Sequence, residues 1–111
     1  MEGRITGHTG LLALIGSPVG HSGSPAMYNY SFERLGLDYV YVAFDIKEEE
    51  TGDAIAAMKT FHMRGCNVTM PCKTAAAKYM DELSPAARII GAGNTIGNGN
   101  GKLIGHMADG E

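Results

Sequence analysis

The sequence predicts an α/β fold, a mostly parallel sheet with helices on both faces. Three observations carry this. Leu11-Leu12-Ala13-Leu14-Ile15-Gly16 is a short unbroken apolar run, the pattern of a strand buried on both faces. Strand-like and helix-like segments then alternate as β-α-β-α-β, which implies right-handed crossovers and layered packing. A third short strand is stopped at Pro71, which has no N–H to give a sheet ladder.

After the first strand comes the loop Ser17-Pro18-Val19-Gly20-His21-Ser22-Gly23. Serine before proline is a helix start, with Ser24 as cap and Pro25 in the first turn. That helix is expected to run to Leu35, bury Tyr28, Phe32 and Leu35, and stop at Gly36. Residues 38–45, rich in β-branched and aromatic side chains, read as the second strand. Glu48-Glu49-Glu50 precede a helix from about Gly52 to Met63, where carboxylates suit the positive end of the dipole. Its buried stripe is Ile55, Met58 and Phe61, with His62 packed beside them, and Gly65 ends it.

The third strand runs through Asn67-Val68-Thr69 to Met70-Pro71-Cys72-Lys73. An alanine-rich helix follows over 74–80, with Lys73 in its first turn. A cation there is opposed by the helix dipole, which suits an amine that exchanges protons. Asp81-Glu82-Leu83-Ser84-Pro85 read as the start of another helix, ending at Gly91. Asn94-Thr95-Ile96 and Leu103-Ile104-Gly105-His106 read as a hairpin around Asn98-Gly99-Asn100-Gly101.

At 111 residues the chain is read as a polar leader, 1–10, and one domain, 11–111. It is 44% hydrophobic and 19% charged, ordinary values for a globular domain. A net charge of −3 and pI of 5.7 leave no basic footprint for nucleic acid. No apolar run approaches the ~18 residues of a membrane span. The leader lacks the apolar stretch of a signal peptide, so a cytoplasmic protein is expected. Cys66 and Cys72 match no zinc spacing and read as packed, reduced thiols, and no metal site is expected.

Glycine is the compositional departure, with 16 residues, six of them between Gly91 and Gly105. None of these forms a nucleotide fingerprint. Gly91-Ala92-Gly93 has Ile96 where the third glycine belongs, and Gly97 to Lys102 fails both the dinucleotide and the P-loop patterns. Gly20-His21-Ser22-Gly23-Ser24 falls one glycine short of a nucleophile elbow.

In a parallel sheet, the loops after the strands share one edge, where open α/β sheets hold ligands. The first brings Ser22 and Ser24 to a helix start, two hydroxyl donors for an anion. The third brings Asn67, Thr69 and Lys73, the glycine-rich segment brings Asn94, and Asp109 lies near the chain end. The set offers an anion clamp, neutral partners for hydroxyls, and a lysine–aspartate pair for proton transfer. A small polyhydroxylated carboxylate fits it.

At these residues the chain resembles the N-terminal, substrate-binding half of the shikimate dehydrogenase family, including its quinate/shikimate members. The matching segments are 16–25, 67–73, 81–87 and 91–96, in that order. The resemblance implies that Ser22 and Ser24 bind the substrate carboxylate and that Asn67, Thr69 and Asn94 contact ring hydroxyls. Lys73 and Asp109 correspond to the catalytic dyad. The implied reaction is NADP-dependent, reversible reduction of 3-dehydroshikimate to shikimate. NADP, or NAD in quinate-type members, would be held by a C-terminal Rossmann domain absent from these 111 residues, so the chain alone is expected to be inactive. The alternatives are a quinate-preferring domain and a stand-alone module that binds a polyol carboxylate without catalysis. Met107-Ala108 precede Asp109 where the family usually has Asn-Thr, and Cys72 replaces the commoner histidine or aromatic before the lysine.

Overall fold

The described strands build one six-stranded mixed sheet in the order β2-β1-β3-β5-β6-β4. The structure, a computed structural model, describes residues 4–80, 82–83, 95–99 and 102–106. In chain order these form β1 (Gly10–Gly16), α1 (Ser24–Leu35), β2 (Tyr39–Asp45), a 3-10 turn (Glu48–Glu50), α2 (Thr51–Thr60) and β3 (Gly65–Val68). There follow α3 (Lys73–Ala77), β4 (Glu82–Leu83), β5 (Thr95–Gly99) and β6 (Lys102–His106). β1 pairs in parallel with both β2 and β3, and β4 with β6. β5 runs antiparallel to β3 and to β6, as the expected hairpin requires. The sheet is therefore mostly parallel, with its antiparallel part confined to β5.

Alternation along β1 divides the interior into two layers. Ala13 and Ile15 face Ile55 and Met58 of α2, Ala76 of α3, and Cys66 and Val68 of β3. Leu14 faces the other way, onto Phe32 of α1 and Tyr41 of β2. Helices thus cover both faces, as the unbroken apolar run of β1 requires. Both cysteines are buried free thiols in the first layer, which bears out their packing role.

Several local expectations are corrected. The cap of α1 is Gly23, with no side-chain cap bond; the hydroxyl that meets the helix start belongs to Ser22, whose Oγ accepts from Ser24 N–H at 3.1 Å. Helix α1 does end at Gly36, in the left-handed conformation, but Leu35, its last residue, is 71% exposed. Helix α2 starts at Thr51, because the glutamates form a separate 3-10 turn closed by Glu50 Oε1 on Lys47 N–H at 2.8 Å. It ends at Thr60: His62 turns to φ 53°, and Met63 N–H closes back on Met58 O at 3.0 Å. Phe61 and His62 are consequently exposed rather than packed. Helix α3 covers 73–77 rather than 74–80. Glu82–Leu83 form a strand beside β6, where a helix start was expected. The expected helix from Ser84 to Gly91 lies outside the described residues.

Candidate functional site

The loop after β1 and the loop after β3 are laced together at one edge of the sheet. Thr69 N–H donates to Ile15 O at 2.9 Å, and Ser17 N–H donates to Met70 O at 3.0 Å. Gly16 makes the contact close enough: a Cβ placed there would lie 2.3 Å from Thr69 Cγ2 and 2.8 Å from Met70 O. The first loop returns through Val19, 4% exposed, whose carbonyl accepts Ser22 N–H at 3.1 Å. That turn delivers Ser22 and Ser24, both half-buried, to the start of α1.

Asn67 is the predicted site residue with the fullest set of polar contacts. Its Oδ1 accepts the Tyr41 hydroxyl at 2.9 Å, and its Nδ2 donates to Thr95 Oγ1 at 3.2 Å. A polar line therefore runs from Tyr41 through Asn67 to Thr95, crossing β2, β3 and β5. Burial pushes the Tyr41 phenol up to about 12, helped by the neighbouring Tyr28 and Cys66, with Ser24 acting the other way. Tyr41 is thus neutral at physiological pH and serves as a hydrogen-bond donor. Tyr28 stacks on its ring at 4.7 Å between centroids. Tyr28, Phe32, Tyr41, Asn67 and Thr95 line a hollow of about 340 Å³; of the predicted site residues that are described, only Asn67 is in its wall.

Thr69 is half-buried against Gly16, its carbonyl accepting Cys72 N–H at 3.0 Å. Cys72 is fully buried, with its thiol toward the Ile46 and Lys47 carbonyls. This anchored turn sets Lys73, half-buried, as the first residue of α3. Ser22, Ser24, Thr69 and Lys73 therefore sit on two adjacent loops at the carboxyl ends of β1 and β3, with Asn67 one layer inward. Asn94 and Asp109 lie outside the described residues. Tyr41 and Thr95 were missed in the sequence; Tyr41 was legible only as one apolar residue of a β-rich segment, and its role comes from the register that sets it beside Asn67. Among the described residues no three His, Cys, Asp or Glu side chains gather as a metal site.

The family model described as the shikimate dehydrogenase substrate binding domain matches residues 14–96. The chain belongs to the shikimate dehydrogenase family. A shikimate dehydrogenase (NADP(+)) of Listeria monocytogenes serotype 4b is 51% identical over 107 residues, 96% of this chain and 37% of that protein. One from Alkaliphilus metalliredigens is 50% identical over 111 residues, 100% of this chain and 39% of the relative. The crystal structure of the Listeria monocytogenes shikimate 5-dehydrogenase, in complex with shikimate and NAD, superposes with a TM-score of 0.95 at 50% identity. It matches 99% of this chain and 38% of that one. The ligand-free 5-ketofructose reductase of Gluconobacter sp. strain CHM43 superposes with a TM-score of 0.90 at 31% identity, over 95% of this chain and 38% of its own. This chain thus spans less than two fifths of the solved relatives it matches.

A nicotinamide dinucleotide does not fit the described residues. A pyrophosphate loop needs glycines spaced G-x-G-x-x-G between strand and helix start, whereas the β1–α1 turn has Gly16, Gly20 and Gly23 and carries Pro18 and the buried Val19 between.

Proposed function

We propose that this chain is the substrate-binding and proton-transfer domain of an NADP-dependent shikimate dehydrogenase. NADP would be bound by residues outside this chain, and residues 11–111 would form the substrate unit. Ser22 and Ser24 take the ring carboxylate, and Asn67, Thr69 and Asn94 take the ring hydroxyls. Lys73 removes the proton of the hydroxyl being oxidised and returns it in the reverse direction, with Asp109 as its partner. The enzyme is proposed to be cytoplasmic. The observation that supports this reading is the backbone lacing, at one sheet edge, of the two loops that lead to Ser22 and Ser24 and to Thr69 and Lys73.

The test is a calorimetric titration of the 111-residue chain with shikimate and with quinate. Shikimate is expected to bind more tightly, and Ser22→Ala to bind it at least about ten-fold more weakly, the scale of one hydrogen bond to a charged group. Equal binding by Ser22→Ala would undo the clamp. The chain alone is expected to show no NADP-dependent oxidation of shikimate. Joined to the nucleotide-binding part of a Listeria relative it should turn over, and Lys73→Ala should lower that rate about 10²-fold or more. Binding without turnover in the joined protein would instead favour a non-catalytic module.

A further inference from the structure

The ladder between β1 and β2 shows which way each residue of the outer strand points. Gly10 N–H donates to Asp38 O at 3.0 Å, and Ile46 N–H donates to Gly16 O at 2.9 Å. Even-numbered residues of β2 therefore pair with β1, and odd-numbered ones direct N–H and C=O to the open edge. At Tyr41 both of those outward groups are taken by one side chain. Asn29 of α1 accepts Tyr41 N–H at Oδ1 and donates from Nδ2 to Tyr41 O, each at 2.8 Å. The carboxamide acts as the peptide group of a missing neighbouring strand.

This dock joins the two halves of the site. Helix α1 begins at Ser24 and carries Asn29 further along, and the Tyr41 hydroxyl donates to Asn67. Tyr41 is thereby held at both ends, its backbone by Asn29 and its phenol by Asn67. With Tyr28 of the same helix stacked on its ring, it has little room to shift relative to α1. We propose that Asn29 is a positioning residue for substrate binding, fixing through Tyr41 the placement of the Asn67 carboxamide relative to the serine pair at the start of α1. The inference rests on the shikimate reading above and names a residue that acts on that site without touching substrate.

The experiment is a double-mutant cycle on the 111-residue chain with Asn29→Leu, Tyr41→Phe and both together. Shikimate affinity is read by calorimetry, the fold by circular dichroism, and the Asn67 side-chain amide by ¹H–¹⁵N NMR. Asn29→Leu is expected to weaken shikimate about ten-fold, the scale of one misplaced hydrogen bond, and to shift the Asn67 amide resonance without ligand. In the Tyr41→Phe background the same change should cost less than about two-fold, because the group through which Asn29 acts is gone. Unchanged affinity in a folded Asn29→Leu overturns the proposal, as do equal losses in both backgrounds, which would mark a purely structural role. Should Asn29→Leu not fold, Asn29→Asp, which keeps the acceptor and loses the donor, goes through the same cycle with the same criteria. A wild-type chain that binds no shikimate refutes the functional reading, and the unliganded Asn67 resonance then still decides whether Asn29 sets that side chain.

Discussion

Gly16→Ala tests the join between the two loops. The residue has φ +150°, a region that side chains avoid, which costs roughly 1–3 kcal/mol. The added methyl would also lie 2.3 Å from Thr69 Cγ2, 2.8 Å from Met70 O and 3.1 Å from Thr69 O. Two of those three atoms are backbone and cannot rotate away, so overpacking adds roughly 1–3 kcal/mol. A total loss of about 3 kcal/mol or more is expected, a large part of the roughly 5–15 kcal/mol that holds a domain together. Urea unfolding followed by circular dichroism measures it. Gly36→Ala is the control, with φ 68° and nothing within 4 Å, and should cost only the left-handed penalty of roughly 1–2 kcal/mol. Adding Thr69→Ser to Gly16→Ala removes the shortest contact but leaves Met70 O, so stability should return only in part. Whatever remains folded should bind shikimate more weakly, because the added methyl forces the serine loop away from Thr69. A loss below about 1 kcal/mol with unchanged affinity would refute the claim that backbone contact at Gly16 sets the rim.

Two further outcomes follow from the same structure. Burial pushes the Cys66 thiol from 9.0 up to about 12, and burial first and Tyr28 next push the Tyr41 phenol from 10.0 up to about 12. Both groups lose protons first in the unfolded chain, so stability should be full below about pH 9 and fall from there toward about pH 12. Urea midpoints that stay level up to about pH 11 would contradict this, and Cys66→Ala should delay the start of the fall to about pH 10. At the opposite end of the sheet, Asn98 Nδ2 donates to Met63 O at 2.7 Å and to Met58 O at 3.4 Å, tying β5 to the end of α2. Asn98→Ala should cost about 1–2 kcal/mol in urea unfolding and leave shikimate affinity unchanged.

The parts of the fold legible in the sequence were those written as local pattern. The unbroken run 11–16 is buried on both faces and Gly36 does stop α1, whereas β3 ends at Val68, before Pro71 is reached. What escaped was decided by partners distant in the chain. Leu35 has the spacing of a core residue, yet as the last residue of α1 it packs against neither buried cluster and is 71% exposed. His62 continues the stripe of α2 on paper, yet the chain must turn back to enter β3, and it does so at His62 in a left-handed conformation without glycine. Ser22 and Ser24 were placed at a helix start by the Ser-Pro signal, but which of them meets a backbone N–H depends on the turn closed on Val19. Tyr41 shows the limit most clearly: nothing local marks its hydroxyl as polar business, and only the pairing of Leu12 with Tyr41 and Leu14 with Asn67 brings the two side chains together.

A sheet shared at a TM-score of 0.90 with a 5-ketofructose reductase leaves the choice of substrate to the rim side chains, since one fold hosts several chemistries. The orientation of Ser22 bears on that choice. Its oxygen already accepts the Ser24 N–H at 3.1 Å, which commits one lone pair and turns the hydroxyl toward donating. A donor at the start of a 12-residue helix, where the dipole is positive, favours an anion over a neutral sugar hydroxyl. One layer inward the requirement reverses. Asn67 is engaged through Oδ1 by Tyr41 and through Nδ2 by Thr95, so under the proposed reading it would meet the ring hydroxyls as a neutral, pre-set group. The proposed ligand therefore carries its charge at one end and its hydroxyls at the other, and on the inference above Tyr41 and Asn29 set the span between Ser22 and Asn67.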